Sequence, residues 1–348
     1  MRRKLAAGLG IAAVVAAVPA LGAAAPSQVS PAPKLALRWT VPTPANGKLY
    51  TVEVGTSLSV PVAATPGAVI SARGLPAGAS LTRRTNGVTL TWTPTAATVG
   101  PHAVVLAARK PGTRLYTPPR TLFLQGVPAA TAATAGATTT LLSSPRLSRW
   151  AYVVRRSVAR AAPSTTARIV TRLATRTLDE TPNLVLVLAS TRDATGRIWF
   201  RVRLPILPNN STGWVLAGAL GQLHAVTTYL VVDRLLLSAT LYRSGAPIFQ
   251  TRVGAGRPYW PTPRGDFYVR EVLTGFSDPL YGPVAFGTSA RSAVLTDWNG
   301  GGGVIGIHGT DHPEILPGRV SHGCVRMPNP SIRRLHRLMP LGTPVAIR

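Results

Sequence analysis

Proline and glycine interrupt this chain so often that short strands and turns are favoured over long helices. The 348 residues include 33 glycines and 32 prolines, and threonine and valine are also plentiful. Proline breaks helices, whereas valine and threonine favour extended strands. We therefore expect a mainly β protein. A chain of this length is expected to form two or three domains.

The N-terminus has the pattern of a secretory signal. Residues 1–4 read Met-Arg-Arg-Lys, and 5–18 form an apolar run that is too short to span a bilayer comfortably. Residues 23–25 are alanines, which suit a cleavage site. We expect 1–25 to be a signal peptide and the protein to be exported to the cell wall or a periplasm-like space. If the segment is not cleaved, it tethers the protein to the membrane.

The formal net charge of +27 first raises nucleic acid as a partner. However, the basic residues are spread along the chain rather than clustered, and export separates the protein from nucleic acid. We predict no nucleic-acid partner and regard anionic cell-wall polymers as the better partner class. The alternative is that arginine only supplies solubility.

Two β-rich blocks precede the C-terminal third of the chain. Short strand-like runs between 35 and 125 have the spacing of a β-sandwich. The segments Gly-Leu-Pro-Ala-Gly at 74–78 and Leu-Thr-Trp-Thr-Pro-Thr at 90–95 resemble bacterial immunoglobulin-like (Ig-like) repeats. An Ala/Thr-rich linker is predicted at 126–148. Residues 150–222 resemble a small SH3-like barrel. Its Trp199 and Trp214 form either a glycan-stacking face or part of the core.

The last block, 226–348, is predicted to be β-rich with one or two short helices. Alternating apolar residues predict a strand and a hairpin between 229 and 253, and 304–307 looks like a buried strand. Asn329 and Pro330 are suited to start a helix, because proline is tolerated at the first helical position.

The only cysteine of the chain lies in this last block. Cys324 belongs to the segment Ser-His-Gly-Cys-Val-Arg-Met at 321–327, and His308 lies sixteen positions upstream. With one cysteine, no intramolecular disulfide can form. An unpaired thiol in an oxidising compartment is a liability unless it does chemistry. A buried, inert cysteine is the alternative.

The neighbours of Cys324 suit nucleophilic catalysis. A thiol needs a base to become a thiolate, and both His308 and His322 are candidates that the sequence alone does not rank. Gly323 leaves its amide open, so the amides of Gly323 and Cys324 are candidates for binding an oxyanion. Arg326 either favours the thiolate, holds a substrate carboxylate or makes a structural salt bridge.

These segments resemble a known catalytic signature. Ile-His-Gly-Thr at 307–310 and the 321–327 segment, together with Thr-Pro-x-Gly-x-Phe at 262–267 and Gly-Thr-Pro-Val at 342–345, are similar to the L,D-transpeptidases with a YkuD-type domain. The resemblance covers roughly residues 226–348. It implies a β-rich catalytic fold, no cofactor or metal, and peptidoglycan stem peptides as substrates. We expect a monomer.

The resemblance also implies a mechanism. Cys324 attacks the carbonyl of the L-centred diamino residue that precedes a terminal D-Ala, and a thioester forms when D-Ala leaves. An amine on a neighbouring stem peptide then resolves the thioester and forms a cross-link. Carbapenem-type β-lactams are implied as inhibitors that acylate the thiol.

The implied roles are assigned as follows. His308 is the general acid/base, oriented by a backbone carbonyl, and His322 and Gly323 shape the oxyanion site. Arg326 occupies a position where many members have asparagine, which puts its substrate contact in question. The residues expected to bind substrate are Arg326, Ser321, Gly309 and Thr310.

Three alternative functions remain open. Water in place of the amine would make the protein an L,D-carboxypeptidase. A domain without activity would leave a non-catalytic wall-binding protein. The third alternative is a zinc metalloenzyme, because several side chains are of zinc-binding types. Their spacing, however, fits no familiar zinc pattern. These are His308, Asp311, His312, His322 and Cys324.

Overall fold

The computed structural model describes residues 37–129, 139–297 and 301–348. The predicted signal peptide at 1–25 and the centre of the predicted linker at 126–148 lie outside the described residues. Within the described ranges, no helix is long and apolar enough to cross a membrane. The fold is mainly β, as predicted, and the described residues contain one α-helix.

The first eight strands form two four-stranded sheets around one core. They are β1 (Trp39–Thr40), β2 (Lys48–Glu53), β3 (Leu58–Ala64), β4 (Val69–Arg73), β5 (Ala79–Arg84), β6 (Gly87–Trp92), β7 (Gly100–Arg109) and β8 (Arg120–Val127). The sheet orders are β1-β3-β6-β5 and β2-β8-β7-β4. Buried Leu90 of the first sheet and Leu106 and Leu122 of the second belong to the shared core, which is the arrangement of a sandwich.

A second group of strands forms one eight-stranded antiparallel sheet. It comprises β9 (Thr140–Leu141), β10 (Ser148–Tyr152), β11 (Ser157–Arg160), β12 (Ile169–Leu173), β13 (Leu184–Arg192), β14 (Ile198–Arg203), β15 (Thr212–Leu216) and β16 (His224–Val226). The order is β12-β11-β15-β14-β13-β10-β16, and β9 also pairs with β13. Trp199 is only 1 % exposed, so it cannot contribute to a glycan-stacking face, while Trp214 is half-buried. We call this group the middle module.

The last block folds into a ten-stranded sheet. Its strands are β17 (Thr228–Asp233), β18 (Ser238–Arg243), β19 (Ala246–Arg252), β20 (Gly254–Gly256), β21 (Gly265–Thr274), β22 (Val284–Arg291), β23 (Val304–His308), β24 (Gly318–Ser321), β25 (Val325–Arg326) and β26 (Pro344–Ile347). Their order is β19-β18-β17-β26-β21-β22-β23-β25-β20-β24. Strand β23, which ends at His308, and strand β25, which directly follows Cys324, are therefore direct neighbours.

One α-helix, α1 (Asn329–Leu338), packs on this sheet, and the helix start predicted at Asn329 and Pro330 is confirmed. Its Ile332 and Leu335 are fully buried in the core of the sheet. Short 3-10 turns occur at Ala96–Thr98, Ala217–Ala219, Pro279–Tyr281 and Pro313–Ile315.

Within the compact unit Leu37–Arg348, both the first group of strands and the middle module pack against the last block. Phe123 of β8 makes edge-to-face ring contacts with Tyr229 and Tyr242 of the last block. Trp150 and Tyr268 share another buried cluster, which joins the middle module to the last block. These aromatic contacts bury large apolar surfaces between the groups.

Candidate active site

Parallel pairing of β23 with β25 brings the two halves of the motif together. Ile307 is the partner of Val325, and His308 is the partner of Arg326. The amide of Met327 donates to the carbonyl of His308 at 2.8 Å and extends the pairing. Because side chains alternate across a strand, Ile307 enters the core while His308 points to the other face. That face also receives Cys324, which directly precedes β25.

The thiol of Cys324 lies over Gly306. Its Sγ accepts the backbone N–H of Gly306 at 3.3 Å, and the side chain is half-buried. Burial raises the pKa of the Cys324 thiol, and this effect outweighs the Gly306 N–H and the charge of Arg326, both of which lower the pKa. The resting side chain is therefore a protonated thiol at neutral pH, and it needs a base for nucleophilic attack.

His308 is placed to be that base. Its Nδ1–H donates to the carbonyl oxygen of Gly309 at 2.7 Å, which leaves Nε2 with a free lone pair. The ring carbon bonded to Nε2 lies 3.8 Å from the position that a Cβ on Gly306 would occupy, and Sγ of Cys324 lies 3.7 Å from the same point. The thiol and Cδ2 of the His308 ring therefore both lie within 4 Å of one point above Gly306.

Burial determines the protonation state of His308. The side chain is 3 % exposed, and burial, with the nearby Arg326 charge, lowers its pKa to about 4 despite the Gly309 hydrogen bond. The ring of Tyr281 lies 5.1 Å from the His308 ring, centroid to centroid. The imidazole is therefore neutral at pH 7 and able to accept a proton.

A network of hydrogen bonds shapes the loop that carries Cys324. The Ser321 hydroxyl donates to the Cys324 carbonyl at 2.6 Å and accepts the Gly323 N–H at 3.1 Å. Gly323 has a φ of +124°, which glycine adopts without strain. Because the Gly323 amide is bound to Ser321, the amide of Cys324 is the better candidate of the predicted pair for binding an oxyanion.

Thr262 binds this loop from a distant segment, a role that the sequence alone does not assign to it. Its hydroxyl donates to the Gly323 carbonyl at 2.7 Å and accepts the Gly256 N–H at 2.8 Å. The side chain is 1 % exposed. The only sequence signal was its place in the Thr-Pro-x-Gly-x-Phe segment, because the contact joins residues 61 positions apart.

His322 occupies a different place from His308. Its ring is half-buried and packs on Trp260 with centroids 4.4 Å apart. Burial and the charges of Arg257 and Arg326 lower the pKa of His322. Both histidines line the cavity above Cys324, but the pairing over Gly306 involves His308.

Arg326 brings a buried cation to the same cavity. Its side chain is 9 % exposed, and its Nε has no hydrogen-bond partner among the described residues. The ion pairs found in the described ranges do not include Arg326, so the structural salt bridge considered from the sequence is not observed there. A buried guanidinium without a carboxylate favours an anionic ligand.

The cavity over Cys324 has a volume of about 310 Å³. Of the residues expected to bind substrate, Arg326 and Ser321 line it, whereas Gly309 and Thr310 are not among the described lining residues. Gly309 instead orients His308, and the Thr310 amide donates to Asn329 Oδ1 at 3.0 Å behind the site.

The residues of zinc-binding types are not gathered at one point. No group of three or more His, Cys, Asp or Glu side chains that could hold a metal ion occurs in the part of the chain that the structure describes. His312 is exposed and its ring lies 3.0 Å from Glu314 Oε1, on the turn after β23. Near Cys324 the described residues provide a thiol and an imidazole rather than a set of metal ligands.

Comparisons with known proteins bear on the same block. Residues 227–347 match the family model of the YkuD L,D-transpeptidase catalytic domain. Among curated proteins, YqjB of Bacillus subtilis (strain 168), whose name proposes an L,D-transpeptidase activity, is 32% identical over 102 residues. That alignment covers 27% of this chain and 56% of YqjB.

Two solved structures from Enterococcus faecium are also similar. A crystal structure of the L,D-transpeptidase with a cysteine-to-serine mutation is 26% identical, with a TM-score of 0.28, over 35% of this chain and 49% of that one. An NMR structure of the catalytic domain is 28% identical, with a TM-score of 0.27, over 35% of this chain and 96% of that one. The chain thus spans about half the length of YqjB and of the crystallised transpeptidase. The family model and the curated relative identify residues 227–347 as a YkuD-type L,D-transpeptidase catalytic domain.

Proposed function

We propose that this domain cross-links peptidoglycan stem peptides between diamino residues through a thioester on Cys324. The observation that carries the proposal is that the Cys324 thiol and the His308 ring both approach the same point above Gly306, with Nδ1 of His308 held by the Gly309 carbonyl. A neutral imidazole beside a protonated thiol is the arrangement required for general-base activation of a nucleophile.

In the first half-reaction, Nε2 of His308 takes the thiol proton while Sγ attacks the carbonyl carbon of the L-centred diamino residue. The carbonyl oxygen becomes an oxyanion, and the Cys324 amide is placed to donate to it. The carbon–nitrogen bond to D-Ala then breaks, and the His308 imidazolium returns its proton to the leaving amine. The products are free D-Ala and a thioester.

In the second half-reaction, the amine of another stem peptide attacks the thioester carbonyl. His308 accepts a proton from that amine and returns one to the departing sulfur, so the free thiol is regenerated. The new amide joins two diamino residues. The Gly309 carbonyl keeps the imidazole in the same tautomer throughout, because it accepts only from a protonated Nδ1.

Arg326 is proposed to bind the carboxylate of the terminal D-Ala. Its guanidinium is buried beside the thiol and lacks a carboxylate among the described residues. Binding an anion would compensate the cost of burying this cation. Carbapenem-type β-lactams carry a carboxylate and a reactive carbonyl, so they are proposed to acylate the same thiol.

The test is to incubate the protein with tetrapeptide stem fragments and determine the masses of the products. A cross-linked dimer with release of D-Ala is expected. A tripeptide without dimer would establish an L,D-carboxypeptidase instead. Neither product, and no carbapenem adduct on Cys324 by intact-protein mass spectrometry, would favour a non-catalytic wall-binding protein.

Cys324→Ala is the control for this test. It removes the atom that carries the acyl group, so both product formation and the carbapenem adduct should disappear while the melting temperature changes little. Turnover in this variant would contradict the thioester mechanism.

A further inference from the structure

The cavity over Cys324 extends to two carboxylates that the proposed chemistry does not use. Glu271 of β21 and Asp179 of the middle module line it together with Cys324 and Arg326. The wall at this end therefore comes from two modules. Glu271 is buried and Asp179 is exposed, and carboxylates that line a cavity favour a ligand that carries positive charge.

Glu271 is held rigidly at the cavity wall. It is 3 % exposed, and its Oε2 accepts the hydroxyls of Thr177 and Thr181, each at 2.7 Å. Across the part of the chain that the structure describes, no cation forms an ion pair with Glu271. The charge of Arg291 acts on Glu271 from beyond ion-pair distance, and a cation bound in the cavity would offset more of the cost of burying this carboxylate.

Two glycines separate Glu271 from the thiol. In the sheet register, Glu271 pairs with Gly287, and Gly287 pairs with Gly306. A Cβ on Gly287 would stand 2.5 Å from Glu271 Oε1, whereas one on Gly306 would stand 3.7 Å from Sγ of Cys324. The carboxylate and the thiol therefore lie on the same face of the sheet. The carboxylate lies over Gly287 and the thiol over Gly306, and these paired glycines are about 5 Å apart, which is one strand spacing.

Asp179, an exposed residue, lines the same cavity from the turn that follows Thr177. The backbone N–H of Thr177 donates to the Thr181 carbonyl at 2.9 Å and closes the turn, while Glu271 binds both threonine hydroxyls. Partial burial and the nearby Glu271 raise the pKa of Asp179, whereas the charge of Arg270 lowers it. A bound cation would relieve the repulsion between these two carboxylates.

Arg326 supplies the opposite charge near the thiol. It is more than nine-tenths buried, and its Nε is unpartnered within the described ranges. One end of the cavity thus favours an anion and the other a cation, with the nucleophile among the lining residues. A ligand that fits both ends carries a carboxylate and an ammonium.

We propose that Asp179 and Glu271 form a cation subsite for the side-chain ammonium of the diamino residue whose carbonyl Cys324 attacks. This inference rests on the proposed function, because it assigns the recognition of that donor peptide. The Glu271 side chain itself fills the space over Gly287, so a diamino side chain that extends along the cavity from the thiol would meet this carboxylate. The middle module therefore takes part in substrate selection.

The test compares two tetrapeptides that differ only at the diamino side chain, which carries either a free amine or an acetylated amine. We measure kcat/KM for D-Ala release without an acceptor peptide. Wild-type protein should prefer the free amine, and Asp179→Asn should lower kcat/KM for that peptide by about tenfold, as expected for loss of a charge-assisted contact. The acetylated peptide should change by less than about twofold, since it offers no cation to the subsite.

Glu180→Gln is the matched control. Glu180 is the next residue on the same turn and is exposed, it lies near Arg176 with 3.9 Å between the charged groups, and it is not among the described lining residues. It should leave both peptides unaffected. Glu271→Gln keeps an acceptor for the threonine hydroxyls and should reproduce the selective loss. Melting temperatures of all variants establish that they fold.

Three outcomes would overturn the assignment. An equal loss for both peptides would mean that Asp179 has only a structural role. Unchanged D-Ala release with a loss only when an acceptor peptide is added would place the subsite on the acceptor. Absence of D-Ala release from either peptide by wild-type protein would remove the proposed function and this inference together.

Discussion

The hydroxyl of Thr262 donates to the carbonyl of Gly323 at 2.7 Å and ties the turn before β21 to the loop of the nucleophile. The same hydroxyl accepts the Gly256 N–H at 2.8 Å, so one buried atom joins three segments. Gly323 directly precedes Cys324. The position of the thiol therefore depends on a side chain that has no chemical role in the reaction.

Thr262→Val tests this dependence. The change preserves shape but leaves the Gly256 N–H and the Gly323 carbonyl without their buried partner, which should lower the free energy of unfolding by about 1–3 kcal/mol. Carbapenem acylation of Cys324 should also become slower. Urea denaturation and time-resolved mass spectrometry measure the two effects. Thr251→Val, which removes a half-buried hydroxyl that bonds Ser331, is the control.

Much of this architecture follows from patterns in the sequence. The hairpin between 229 and 253 is confirmed as β17–β19, because alternating apolar residues mark a buried face. The helix start at Asn329 is confirmed because proline suits the first helical turn. Such local signals need no knowledge of distant neighbours.

The contacts across modules could not be predicted in the same way. Thr177 and Glu271 are 94 positions apart, and nothing in either segment indicates that they meet. The inward packing of Trp199 also depends on its partners, since a tryptophan in a small β module serves core or surface equally well. The proposed cation subsite therefore emerges only from the folded chain.

His308 should matter more than His322 for acylation. The His308 ring approaches the space over Gly306 beside the thiol, whereas His322 packs on Trp260. We expect His308→Ala to lower the rate of D-Ala release by at least ~100-fold, as expected for loss of a general base, and His322→Ala to lower it less. His336→Ala, on the exposed face of α1, is the control. Steady-state rates in the reverse order would reassign the base.

The depressed pKa of His308 predicts an unusual pH profile. The imidazole of His308 is protonated in the folded protein only near pH 4. As the pH is lowered, kcat/KM for D-Ala release should therefore begin to fall near pH 4 rather than near pH 6.5. A fall near pH 6.5 would show that His308 is not buried in this way during turnover.

The Cys324 thiol should react with iodoacetamide faster as the pH rises past the ordinary pKa of a thiol, because burial raises the pKa of Cys324.

Stability should also depend on His308. Between pH 6.5 and pH 4 the unfolded chain binds a proton at this side chain and the folded protein does not, so stability falls as the pH is lowered through that window. The loss attributable to His308 is on the order of 3 kcal/mol by pH 4. His308→Gln should flatten the dependence. Denaturant midpoints at several pH values measure the difference, and parallel curves for both proteins would contradict the assignment.

Two glycines, Gly287 and Gly306, lie between Glu271 and Cys324. Replacing each by alanine should affect acylation in one case and stability in the other. In Gly306→Ala the new Cβ would stand 3.6 Å or more from its neighbours, an ordinary contact distance, so the fold should be retained. The methyl group would nevertheless occupy the space shared by the thiol and His308, and acylation should slow by roughly tenfold or more. In Gly287→Ala the Cβ would stand 2.5 Å from Glu271 Oε1, and overpacking should lower stability by about 1–3 kcal/mol.

Gly218→Ala separates these effects from a general response to losing a glycine. No atom beyond its chain neighbours lies within 4 Å of the Cβ position at exposed Gly218, so both stability and acylation should stay near the wild-type values. Melting temperature and the rate of carbapenem adduct formation are measured for all three variants. If Gly306→Ala acylates at the wild-type rate, the space over Gly306 is not where thiol and imidazole exchange the proton. The base would then have to reach Sγ from another side of the cavity, which His322 lines as well.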